Sequence, residues 1–135
     1  ERSGPERFYS SVVLLDLWAD TLRRNGAGAT ETALLGSFIT QLTSLRDLSL
    51  ALTALLAKGE SPVVEAALVK DIGTEFEQAI PGAIAASISA DPDAPIDEEL
   101  YRTVAYLNQV APTFSLRGGT REILRGMIAR GLGLR

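Results

Sequence analysis

Apolar side chains recur along most of this chain at three- and four-residue spacing, the period of a helix that buries one face. Phe8, Val12, Leu15, Trp18 (or Ala19) and Leu22 form the first such stripe, on a helix expected from about Pro5 to Arg24. Pro5 suits a first helical turn, where a missing N–H costs nothing. Asn25-Gly26-Ala27-Gly28 closes the segment. The second stripe is Leu34, Phe38, Leu42, Leu45, Leu48 (or Ser49), Leu52 and Leu55, on a helix from about Thr30, as N-cap, to Lys58, with Gly59 as its stop.

A third helix is expected to open with Ser61 as cap and Pro62 at its first position, and to bury Val64, Leu68, Ile72, Phe76 and Ile80. Pro81-Gly82 interrupts it. Proline cannot donate a backbone hydrogen bond, but the apolar pattern resumes at Ile84 and Ile88, so a kinked continuation is expected. Asp91-Pro92-Asp93-Ala94-Pro95 reads as a loop. Asp97 is placed to cap a fourth helix with Leu100, Val104 and Leu107 inward, and Pro112 marks its exit. A fifth, from about Thr120 to Arg130, is expected to turn Ile123, Met127 and Ile128 inward and to carry Arg121 and Arg125 on another face.

No window alternates as a strand does. Short loops between long helices force antiparallel neighbours. The expected architecture is all-α, an up-down bundle of about four long helices with a short C-terminal helix docked across it, in one domain over residues 1–135.

Composition narrows the chemistry. The chain of 135 residues has neither cysteine nor histidine. Disulfides, thiol nucleophiles, the usual zinc sites and a Ser-His-Asp triad are thereby excluded. No apolar run is long enough for a membrane span and no signal peptide is visible, so a cytoplasmic location is expected. The chain opens on Glu1 and its one methionine is Met127, which predicts a piece of a longer protein.

The net charge of −4 is uneven: residues 117–135 carry +4 and residues 1–116 carry −8. An acidic body argues against general nucleic-acid binding. The basic tail is expected to dock on acidic neighbours, with a phosphate-bearing ligand as the other reading. The stretch from Lys70 to Gln78 is polar on one side and is expected to be a solvated or interface face. Asp71 and Glu75 stand four apart there, and without histidine they make a poor metal pair, so no metal site is expected.

The segment Leu116-Arg117-Gly118-Gly119-Thr120-Arg121-Glu122-Ile123, continuing to Ile128-Ala129-Arg130-Gly131-Leu132-Gly133-Leu134, carries a more specific signal. Glycines allow close backbone approach, and a helix N-terminus presents unpaired N–H groups. As bare residues, a glycine pair and a threonine are equally a loop and a cap. The whole segment, however, resembles the C-terminal signature of flavin-dependent acyl-CoA dehydrogenases.

That resemblance implies a C-terminal helical domain whose parent, with an N-terminal helical domain and a β-barrel not in this chain, oxidises an acyl-CoA thioester to its 2-enoyl form using FAD. It implies that Arg117, Gly118, Gly119, Thr120 and Glu122 meet the flavin. It also implies an oligomer, homomeric or heteromeric, with acyl-CoA as substrate of the whole protein. In many members a glutamate at the position of Gly118 is the catalytic base; Gly118 has no carboxylate. In a subset resembling isovaleryl-CoA dehydrogenase the base comes from the first helix, within a Glu-Arg pair. Gly4-Pro5-Glu6-Arg7-Phe8 looks like that element, making Glu6 the base and Arg7 its support. Read without the resemblance, Glu6 is an ordinary favourable charge at a helix N-terminus. The family's Arg-x-x-Phe-Gly element and its Gln-x-x-Gly-Gly-x-Gly segment have no counterpart, since Leu22-Arg23-Arg24-Asn25-Gly26 stands in the place of the first. A non-catalytic partner subunit whose bundle builds a heteromer is therefore a second expectation, and an unrelated helical interaction module a third.

Overall fold

The computed structural model describes residues 10–91, 95 and 97–134. These form an all-α bundle: α1 (Val12–Asn25), α2 (Ala29–Ala57), α3 (Val63–Ala90), α4 (Glu98–Val110) and α5 (Arg121–Gly131), with a 3-10 segment over Ala111–Leu116 between the last two. Residue contacts fix the directions. Phe38 of α2 meets Phe76 of α3 edge to face, with ring centroids 6.1 Å apart, and Gly28 and Glu31 at the start of α2 face Ile88 near the end of α3. Asn108 and Ala111 at the end of α4 hydrogen-bond with Pro81 and Gln78 of α3. Both helices thus run antiparallel to α3. The first helix runs parallel to it, since Ser11 sits on Glu77 while Trp18 and Leu22 reach Ser87 and Ile88.

The third helix is the axis of the molecule, and every other element packs on it. Its Val69, Phe76, Ile80 and Ile84 join Leu14, Leu15 and Trp18 of α1, Phe38 and Leu45 of α2, Leu100, Val104 and Leu107 of α4, and Phe114 in one core. Burial of each such side chain stabilises by about 1.5–3 kcal/mol.

Several expectations about faces are corrected. On α3, Leu68 and Ile72 are exposed at 41% and 39%, whereas Lys70, Asp71, Thr74 and Glu77 are buried, so the stretch expected to be solvated or interfacial points inward. On α5, Ile123 is exposed and Leu124 is the buried anchor. On α2, of the two alternatives Leu48 and Ser49, the structure selects Ser49 for the buried position. The fifth helix lies along α3 rather than across it: Arg121 contacts Asp71 and Glu75, and Gly131, about 15 Å further on, meets Val64.

Helix ends follow local chemistry. Asp97 caps α4 as expected, its Oδ1 accepting the Glu99 N–H at 2.9 Å. At α2 the cap is Gly28 rather than Thr30, and the Glu31 carboxylate reaches back to accept the Gly28 N–H at 2.7 Å. Pro62 stands at the cap of α3, with Val63 as the first helical residue, one position later than expected.

Pro81 lies inside an unbroken α3. Its missing N–H deprives the carbonyl of Glu77 of its partner one turn back. The hydroxyl of Ser11 supplies the replacement, donating at 2.8 Å. Asn108 Nδ2 donates to the Pro81 carbonyl at 3.2 Å and to that of Val104 at 3.0 Å, stitching α4 to the same turn.

Candidate functional site

The glycine turn follows from the end of the 3-10 segment. Arg117 is extended, and Gly118 and Gly119 adopt φ of 73° and 114°, a left-handed pair that a side-chain-bearing residue would occupy under strain. The reversal aims the chain back along α3 and opens α5 at Thr120. Thr120 has the extended backbone of a cap, but its hydroxyl makes no capping bond to the helix. It serves Glu122 instead: that carboxyl is held below its ordinary value first by its own backbone N–H and then by the Thr120 hydroxyl. Gly118, Gly119 and Thr120 are half-buried and Glu122 is exposed, so the turn forms a shelf open on one side.

Arg117 is turned away from that shelf. Its Nη2 donates to Glu77 Oε2 at 2.8 Å and its Nη1 to Ser10 Oγ at 3.1 Å. The guanidinium lies over the Phe114 ring, 4.6 Å from its centroid. Nε is buried with no hydrogen-bond partner. The other oxygen of Glu77, Oε1, accepts the Ser10 N–H at 2.7 Å, so both oxygens of a carboxylate with no solvent exposure are engaged. The segment leading into α1 and the glycine turn thus meet at one buried group. Glu6 and Arg7 lie outside the described residues. In sequence Glu6 stands four residues before Ser10, a chain length of about 14 Å at most.

Beyond the turn, the basic helix docks on acidic neighbours, as its charge predicts. Arg121 bridges Asp71 Oδ1 at 2.8 Å and Glu75 Oε2 at 2.9 Å, and Arg125 reaches Asp71 Oδ2 at 3.2 Å. Burial pushes the Asp71 carboxyl up, but the two guanidinium groups outweigh it and hold Asp71 below its ordinary value. Two carboxylates that would repel each other on an isolated helix are held together by one cation. Among the described residues, no three acidic side chains gather as a metal would need.

A cleft of about 440 Å³ lies at the other end of α1, between Trp18, Leu22, Ile88 and Leu100, with Asn25 and Glu31 at its rim. Leu22, Asn25 and Gly26 line part of it. The sequence reading did not find this cleft, since its walls come from four helices and no local pattern marks it.

Glu77 was also missed. It lies between Glu75 and Gln78 on an outwardly polar stretch, and it is the arrival of Arg117 and Ser10, 40 and 67 residues away, that makes it an inside residue.

No protein family, curated protein or solved structure matches the chain. Among the described residues, no helix is long and apolar enough to cross a membrane.

Proposed function

We propose that this chain is the C-terminal helical domain of an acyl-CoA dehydrogenase-like flavoprotein, with a cytoplasmic parent that removes a hydrogen pair from the α and β carbons of an acyl-CoA thioester. The observation that carries the reading is the contact between Arg117 and Ser10 across 107 residues of sequence. Along the sequence, the Glu6-Arg7 pair that resembles the family precedes Ser10, and the Gly118-Gly119-Thr120 turn follows Arg117 directly.

The turn suits the polar portion of a flavin in specific respects. Two glycines without side chains allow close backbone approach, and Thr120 and Glu122 stand at the opening of α5, the positive end of its dipole. Gly118, Gly119, Thr120 and Glu122 would hold the group, and Arg117 would fix the turn from behind. Bound FAD supplies the acceptor for the hydride leaving the β carbon. Glu6 would take the proton from the α carbon, which requires a dry setting that raises its carboxyl toward neutrality. Arg7 would support it.

Replacing Glu6 by glutamine in the full-length protein tests the reading. Activity should be lost while flavin absorbance is retained. Unchanged turnover would refute Glu6 as the base.

A second reading, a non-catalytic partner subunit, is favoured by one observation. Leu48, Leu50 and Leu56 of α2 and Val63, Leu68 and Ile72 of α3 are exposed, and apolar side chains in such number on two helices suit burial against another subunit. A full-length protein that purifies colourless yet assembles would favour it. The same faces serve the oligomer expected of the first reading.

A further inference from the structure

Glu77 does more than core packing requires. An apolar residue of similar volume at a buried site is often as stabilising as an ion pair, because the pair must first be stripped of water. Yet this carboxylate is buried completely, and its partners are a backbone N–H at Ser10 and a guanidinium at Arg117. The main-chain carbonyl of the same residue accepts from Ser11. Arg117 closes the ring by donating to the hydroxyl of Ser10. One residue of the axial helix therefore grips the chain where it enters α1 and, through Arg117, the residue next to the glycine turn.

We propose that Glu77 is a positioning residue: its carboxylate sets the register between Ser10, where the chain enters α1, and the turn Gly118-Gly119-Thr120. The inference rests on the reading given under Proposed function. Its physical content is a coupling. Either segment can move only if the carboxylate releases it, and release leaves a buried charge with half its partners. A catalytic base must lie within hydrogen-bond reach of its proton, and a displacement of about 1 Å costs up to about a hundredfold in rate. Glu77 touches neither substrate nor flavin in this scheme.

Glu77→Gln is the informative variant. The amide keeps the size and can still accept from the Ser10 N–H, but it presents a donor, not an acceptor, to Arg117. In the full-length protein we expect kcat to fall about tenfold to a hundredfold, with flavin content unchanged. Leu52→Ala, a buried truncation near the far end of α2, is the control for lost stability alone and should leave kcat within about twofold. Native kcat in Glu77→Gln would overturn the inference, as would an equal fall in Leu52→Ala. Glu6→Gln run in parallel separates the two levels: an active Glu6→Gln refutes the functional reading, whereas an inactive Glu6→Gln beside a fully active Glu77→Gln refutes only the positioning role. Amide exchange in the full chain tests the coupling without any turnover. Glu77→Gln and Arg117→Lys should each lower protection at Ser10 and at Gly118-Gly119 together. Loss at one segment with the other unaffected would overturn the proposal.

Discussion

Ser11 donates its hydroxyl to the backbone carbonyl of Glu77, the acceptor that Pro81 leaves without a helical partner. The bond is buried, so its removal leaves a desolvated carbonyl unsatisfied. Ser11→Ala should cost about 1–3 kcal/mol in denaturant unfolding. In a Pro81→Ala background the helix can complete its own bond, and the cost of Ser11→Ala should drop below about 0.5 kcal/mol. Additive costs in that cycle would contradict the assignment.

The hold on α5 is electrostatic as well as apolar and depends on pH. The folded value of Asp71 lies below its ordinary 3.8. Its contribution to stability is therefore present above the unfolded value and is lost as the pH falls through the folded one. Asp71→Asn should destabilise the protein at neutral pH by about 1–3 kcal/mol, and the gap from the native protein should narrow as the pH falls below the ordinary 3.8. The carboxyls of half-buried Asp97 and exposed Glu122, also held low, add slope of the same sign. They persist in the variant, so the difference curve isolates Asp71. A gap that stays constant from pH 7 to 3 would count against the Arg121–Asp71–Arg125 cluster.

Gly131 lets the end of α5 close on α3. A Cβ there would overlap Val64 Cγ2 and stand 3.3 Å from Val64 Cβ. Gly131→Ala should destabilise, because the crowding outweighs the gain in helix propensity. In a Val64→Ala background only the 3.3 Å Cβ contact remains, and the cost of the same change should fall. Thermal unfolding of the four proteins in the cycle reads this coupling, and its absence would show that α5 ends clear of Val64.

Truncation of Phe76 should be the most damaging single core change. Its ring joins α3 to α2 through Phe38 and is buried on all sides. Phe76→Ala should cost about 3–5 kcal/mol, against less than about 0.5 kcal/mol for alanine at exposed Ile123. Chemical denaturation with an unchanged slope decides it, and comparable losses at the two positions would refute this division of core and surface.

How far the sequence could be read depends on where each helix sits. The fourth helix has one buried face, and its cap Asp97 and stripe Leu100, Val104 and Leu107 were all legible. The third is surrounded, so apolar periodicity loses its meaning there. Asp71 and Glu77 are inside because Arg121 and Arg117 arrive from the far end of the chain to neutralise them. No local rule anticipates a partner 40 or 50 residues away. In α5, Ile123 and Leu124 are adjacent and equally apolar, and only the angle at which the glycine turn releases the helix selects Leu124. The glycine turn itself was legible, since only glycine adopts such φ without strain, whereas the engagement of Arg117 behind it was not.

The interruption at Pro81 also bears on how the chain acquires its structure. The axial helix has a missing rung halfway along, and its nearest replacement donor comes from Ser11, beyond a different loop. Half of that helix can form early on local propensity, but its continuation past the proline gains full support only once the first helix has been laid alongside. Assembly should accordingly be a concerted event that gathers distant segments at once, with no long-lived state in which the axis stands complete and the first helix is still detached.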